Sequence, residues 1–154
     1  MNLNHALSDY KTYHQNRINI MIHMIGIPLI LLSIFLFLSW PELVFHPYLS
    51  IPLSFLLFIC GIITYWQHSF KSALLSVAFF LPMLIIGLLI KAYLPHWLLI
   101  ISLSLFLAGW ALQFVGHIIE GSKPAFTHQL IHLIAGPLYI INEIYDAISG
   151  KKSI

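Results

Sequence analysis

Apolar residues run in long blocks along this chain rather than alternating with polar ones, and short polar segments punctuate the blocks. Four blocks approach the roughly 20 apolar residues that a bilayer-spanning helix takes: residues 24–40, 49–66, 72–90 and 97–119. The breaks between them carry turn and stop signals. Pro41 and Pro47 bracket a turn containing Glu42, a polar link runs over residues 67–71, and residues 91–96 contain Pro95. Pro28, Pro52 and Pro82 are expected within a turn or so of a helix start, where a missing amide donor costs least, with Pro82 alternatively kinking its helix. A fifth block, residues 130–144, is too short to span comfortably and is interrupted by Gly136 and Pro137, which makes it a re-entrant or interfacial helix.

The first twenty residues are polar and mixed, without the apolar core of a signal peptide, so the amino terminus reads as retained. Asn16 and Asn19 suit the end of one helix and the cap of the next. A short surface helix is therefore expected to end near Gln15, and the first transmembrane helix to begin near Asn19. The predicted architecture is all-α: one integral-membrane domain forming a polytopic helical bundle of about four transmembrane helices. A short N-terminal surface helix precedes the bundle, and a C-terminal interfacial or re-entrant helix follows it.

Composition supports the membrane reading. Hydrophobic residues make up 60% of the chain and charged residues 8%, against about 25% charged in soluble domains. The formal net charge is +2, and the basic residues are scattered. No electrostatic stripe suits a nucleic-acid backbone, so nucleic acid is excluded as a partner. Cys60 is the lone cysteine, which leaves no intramolecular disulfide or thiolate cluster and restricts any metal site to nitrogen and oxygen ligands. With four crossings, Lys11, Arg17, Lys71, Lys123, Lys151 and Lys152 collect on one side and Lys91 alone on the other. Both termini are then expected to face the cytoplasm. A bacterial inner membrane is the preferred host for so compact a chain, with the endoplasmic reticulum if the source is eukaryotic, where Lys151 and Lys152 would resemble a dilysine retrieval tail.

The nine histidines change the picture from an oily bundle to a candidate catalyst, because imidazole is the commonest transition-metal ligand. On the expected topology His5, His14, His23, His68, His117, His128 and His132 share the cytoplasmic end, and His46 and His96 lie opposite. Any one of them also suits the ordinary role of an imidazole meeting headgroups or water, so the argument rests on the group. His128 and His132 are four apart and share a helix face, the arrangement by which two imidazoles reach one ion. His117 and Glu120 are three apart and either offer a nitrogen and a carboxylate or form a hydrated helix end. His14 and His23 lie about 13 Å apart along a straight helix and on opposite faces, so they share an ion only if the chain turns between them.

Residues 13–28 (YHQNRINIMIHMIGIP), residues 109–125 (GWALQFVGHIIEGSKPA), Pro137 and Glu143 together resemble the membrane-bound iron-dependent 2-hydroxy fatty acid dioxygenases, which act in the α-oxidation branch of phytosphingosine degradation. The matching positions are His14, Asn16, His23, Trp110, Gln113, Gly116, His117, Glu120, Pro124 and Glu143. The resemblance implies a non-haem iron(II) enzyme that uses O2 to convert a 2-hydroxy fatty acid into a fatty acid one carbon shorter. It makes His14, His23 and His117 the catalytic iron ligands, with Asn16, Gln113, Glu120 and Glu143 in support. His128 and His132 are added as metal candidates on spacing alone. A 2-hydroxy acid can chelate iron through its hydroxyl and carboxylate while its tail lies among membrane lipid and the spans. Arg17 or Lys123 can pair with the carboxylate, although a headgroup anchor is the commoner role for each.

Two other classes fit parts of the pattern. Paired histidines on helices can hold haem axially, as in a membrane electron carrier. A small transporter or scaffold would instead use intramembrane polar groups such as Gln113 and Asn142 to mark a pathway.

Overall fold

The computed structural model describes residues 3–46, 48–122 and 131–150. Its elements in chain order are α1 (Leu3–Thr12), α2 (Arg17–Ser39), β1 (Glu42–His46), β2 (Leu49–Pro52), α3 (Leu53–Trp66), α4 (Phe70–Tyr93), a 3-10 turn (Pro95–Trp97), α5 (Leu98–Glu120) and α6 (His132–Ile148). The architecture is helical, as the blocks of apolar residues predict. Three helices are long and apolar enough to cross a membrane: α2 with 23 residues, α4 with 24, and the 3-10 turn plus α5 with 26. At 1.5 Å per residue each exceeds the hydrocarbon thickness of about 30 Å. Leucine, isoleucine and phenylalanine side chains such as Leu74, Leu89, Ile100, Leu103 and Leu107 stand exposed along them, as a surface facing lipid requires.

The second expected span differs. Residues 49–66 divide into a strand and a helix, and α3 covers only 14 residues, about 21 Å. Glu42 pairs with Pro52, Leu43 with Ile51 and Val44 with Ser50 in a two-stranded antiparallel hairpin, with an irregularity before His46 pairs with Leu49. Pro52, extended at φ −60° and ψ 143°, ends the strand and caps α3. A second difference concerns the prolines. Pro28, Pro82 and Pro137 all sit inside helices that continue through them. The fixed φ of proline is itself helical, so the helix continues through the ring at the loss of one amide donor, which apolar helices tolerate.

The chain divides into two compact units. Unit 2, residues 29–107, holds the end of α2, the hairpin, α3, α4 and the start of α5. Gly61 lets α3 approach the Phe80 ring, where a Cβ would stand 2.9 Å from it. Buried serines tie the apolar helices together: Ser102 Oγ donates to the Ser33 carbonyl at 2.8 Å, and Ser39 Oγ to Ser54 Oγ at 2.9 Å. Lys91 and Glu42 form an ion pair.

Unit 1, residues 1–28 and 108–154, joins α1, the start of α2, the end of α5 and α6. Ala6 and Tyr10, four apart on α1, are buried, and on α6 the buried residues include Ala135, Leu138, Tyr139 and Ile141. Gly136 lies beneath the Tyr10 hydroxyl. Helices α2 and α5 approach closely at Gly26, where a Cβ would meet Gln113 Nε2 at 2.4 Å and the Gly109 carbonyl at 3.1 Å.

Candidate metal centre

Every feature of the histidine site belongs to unit 1. Residue Asn16 caps α2, its Oδ1 accepting from Ile18 N at 2.9 Å and its carbonyl from Ile20 N at 3.0 Å. The chain therefore breaks helix between Thr12 and Arg17, supplying the turn that His14 and His23 need to face one another. His14 occupies this link, His23 lies in α2 and His117 in the last turn of α5. All three are buried, and one ligand atom from each lies within 4.8 Å of the others. Their ring centroids are separated by 4.6, 5.1 and 4.8 Å.

Hydrogen bonds fix which nitrogen each ring offers. A carbonyl oxygen only accepts, so His14 Nδ1 donates to the Tyr10 carbonyl at 2.9 Å and His23 Nδ1 to the Asn19 carbonyl at 3.0 Å. Each ring then carries its lone pair on Nε2, and backbone partners of this kind also orient metal-ligating histidines. His23 Nε2 stands 3.3 Å from His117 Nε2, whereas His14 Nε2 is buried without a hydrogen-bond partner. Two Nε2 lone pairs beside a third imidazole in a buried space favour a positive centre among them. A first-row metal, with nitrogen ligands at about 2.1 Å, fits the spacing after a small closure of the rings. Burial holds the His14 pKa down at about 4, with the Tyr10 hydrogen bond opposing and His117 adding to the shift. The ring is thus neutral and ligand-competent at physiological pH. Tyr10 stacks on it at 4.0 Å, with the planes 11° apart.

Glu120 does not join the histidines. Its carboxylate accepts from Gln15 N at 3.1 Å, from Asn16 N at 3.0 Å and from Asn19 Nδ2 at 3.0 Å. One acidic side chain, three residues beyond His117, thereby clamps the His14 link and the start of α2. Changes to the residues that hold a metal's ligands typically cost 10–100-fold in affinity, and Glu120→Ala is expected to weaken metal binding by about that factor. Glu120→Gln, which keeps an acceptor oxygen, should lose less. Metal retained after dialysis against graded chelator measures both, and wild-type retention in Glu120→Ala would show the clamp to be dispensable.

Other sequence candidates are distributed differently. His132 is buried but turns to α1, its Nε2 lying 3.0 Å from Asp9 Oδ2, and it is outside the three-histidine group. His128 and Lys123 fall outside the described residues. Arg17 is exposed at the first position of α2. Gln113 is buried against Gly26. Glu143 is buried on α6 and borders, with His14, a cavity of about 360 Å³. Burial pushes its carboxyl above the usual range, while the charge of Lys11 and a hydrogen bond from Tyr139 pull the other way. Burial likewise raises the Tyr139 hydroxyl, reinforced by the Glu143 charge. Lys11, Tyr10, Asn19 and Tyr139 were not legible as site residues. The available signal was spacing, since Tyr10 precedes His14, and Asn19 precedes His23, by one helical turn.

Comparison with known proteins adds a chemical context. Residues 1–148 match the family described as "Mpo1-like: 2-hydroxy-palmitic acid dioxygenase Mpo1-like". The chain is also 32% identical over 148 residues to the 2-hydroxy-palmitic acid dioxygenase MPO1 of Saccharomyces cerevisiae, an alignment covering 93% of this chain and 79% of the yeast protein. No solved structure matches it.

Proposed function

Because the chain belongs to the Mpo1-like 2-hydroxy-palmitic acid dioxygenase family, we propose that it is an integral-membrane dioxygenase that uses non-haem iron(II) and O2 to shorten a 2-hydroxy fatty acid by one carbon. The observation that carries the iron assignment is the trio His14, His23 and His117, buried and with two Nε2 lone pairs fixed by backbone hydrogen bonds. Iron(II) held by these three residues would supply the activation of O2 that oxidative carbon–carbon cleavage needs.

The protein's own contribution is orientation and exclusion of water. Tyr10 covers the His14 face, the Asn19 carbonyl holds the His23 ring, and Glu120 keeps the link in register with α5. Apolar helices around the trio let a long alkyl chain remain in a dry setting. With the shorter α3 taken as the return pass between α2 and α4, the lysine and arginine asymmetry assigns both termini to the cytoplasmic side.

The overall reaction closes without a further reactant. A 2-hydroxy acid plus O2 gives the acid one carbon shorter, carbon dioxide and water. The carbon bearing the hydroxyl and the lost carboxyl carbon together give up four electrons, which is what O2 takes up. No reductant or co-substrate acid is needed. Detergent-purified, iron-loaded protein is therefore expected to consume one O2 and release one carbon dioxide for each 2-hydroxypalmitate shortened, with no reductant added during turnover. Mass spectrometry of the acids with an oxygen electrode checks this. Failure of iron-loaded protein to shorten any 2-hydroxy acid, or turnover that strictly requires an added reductant, would overturn the assignment.

A further inference from the structure

The cavity beside His14 has a lining that matches the polar end of a 2-hydroxy acid. It is open to the surface, has a volume of about 360 Å³ and is bordered by Lys11, His14, Gln15, Ile20, Tyr139 and Glu143, at the lower end of the size typical of small-molecule sites. Lys11 is the one cation among its described lining residues, and Arg17 does not reach it. Glu143 is more than nine-tenths buried and receives a hydrogen bond from the Tyr139 hydroxyl, which leaves its carboxylate further acceptor capacity. Lys11 acts electrostatically on the same carboxylate. The lining thus presents a positive group and a buried acceptor next to a histidine of the trio, with apolar Ile20 at its edge.

Resting on the oxygenase reading, we propose that this cavity is the head-group subsite: Lys11 pairs with the substrate carboxylate, and Glu143 accepts a hydrogen bond from the substrate 2-hydroxyl. The cation selects acids over esters and alcohols. The acceptor selects 2-hydroxy acids over unsubstituted ones, because a fatty acid without the hydroxyl leaves a buried carboxylate facing methylene, and sites built to bond a substrate hydroxyl reject analogues that lack it. Tyr139 is the positioning residue that fixes the Glu143 rotamer. The alkyl chain leaves past Ile20, since the volume suits the head of the molecule and not its whole length.

The test is anaerobic equilibrium binding of 2-hydroxypalmitate, palmitate and methyl 2-hydroxypalmitate to iron-loaded protein, with KM and kcat measured in air. Lys11→Gln is expected to weaken 2-hydroxypalmitate binding roughly tenfold or more, as loss of a charge-assisted contact does. Lys11→Arg should restore it, and the methyl ester should bind wild type and Lys11→Gln alike. Glu143→Leu should abolish the preference for 2-hydroxypalmitate over palmitate, while Glu143→Gln, which keeps an acceptor oxygen, retains it. Lys11 is exposed at a helix end, so its variants test the idea even if Glu143→Leu fails to fold. Unchanged acid affinity in Lys11→Gln, or an unchanged hydroxyl preference in folded Glu143→Leu, overturns the subsite. Wild-type protein that loads iron yet shortens no 2-hydroxy acid overturns the oxygenase reading instead, and the anaerobic binding arm still decides the subsite.

Discussion

Replacing His23 with alanine is expected to abolish iron retention and O2-dependent turnover together, each by more than about 100-fold, since even outer-shell changes cost up to that much. His23 is the member of the trio with the least freedom. It is 1% exposed, its Nδ1 is held by the Asn19 carbonyl, and its Nε2 faces His117 at 3.3 Å. No other described side chain is aligned to replace it, because His132 is engaged with Asp9. His14→Ala and His117→Ala should behave alike, as three donors to one ion act as a unit. His96→Ala, at an exposed position preceding α5, supplies the contrast and should keep iron at the wild-type level. Metal analysis of detergent-purified variants, matched for helix content by circular dichroism, reads the outcome. Full iron and full turnover in any one of the three variants would remove that residue from the ligand set.

How far the sequence anticipated this arrangement depends on the range of the interaction concerned. The helical architecture was legible because long apolar blocks have few other solutions in a membrane. The link between α1 and α2 was legible because asparagine caps are local chemistry: Asn16 caps α2 through its own side chain, and the helix bounds fall within a few residues of those expected. The meeting of His14, His23 and His117 was carried by family resemblance, since spacing alone said only that a turn was required. Spacing by itself offered His132 and His128 as a pair; position 128 lies outside the described residues, and His132 lies 3.0 Å from Asp9 of α1.

The β1–β2 hairpin was illegible for a related reason. A short apolar run such as Leu43 to Phe45 reads identically as strand or helix by composition, and the count of apolar residues ran on from Leu49 through Pro52 into α3. Only the extended conformation of Pro52 separates the two. The role of Glu120 was open to two readings from sequence, because an i, i+3 carboxylate suits a metal ligand and a helix-end cap equally. Its three donors come from residues about a hundred positions away, which no local pattern encodes. Lys11 and Tyr139 were missed on the same grounds, since their significance lies in the cavity that α1 and α6 border together.

Gly116 gives the sharpest remaining test of the close packing behind the trio. A Cβ at this position would stand 2.3 Å from Asn19 Oδ1 and 3.0 Å from both Cε1 and Nδ1 of His23. Asn19 has nowhere inexpensive to move, because it is fully buried, its amide donates to Glu120, and its carbonyl orients His23. Gly116→Ala must therefore either push the α5 backbone away from α2 or rotate Asn19 and tilt the His23 ring. Overpacking of this sort costs about 1–3 kcal/mol of stability. Iron affinity should fall as well, by roughly 10–100-fold, since the clamp and a ligand are displaced at once. Gly61→Ala separates the two effects. Its Cβ would meet the Phe80 ring at 2.9 Å within unit 2, so it should lower the melting temperature while leaving iron retention as in wild type. If Gly116→Ala binds iron as tightly as the wild-type protein, the contact of α5 with Asn19 and His23 is looser than the geometry requires, and His23 is not held by it.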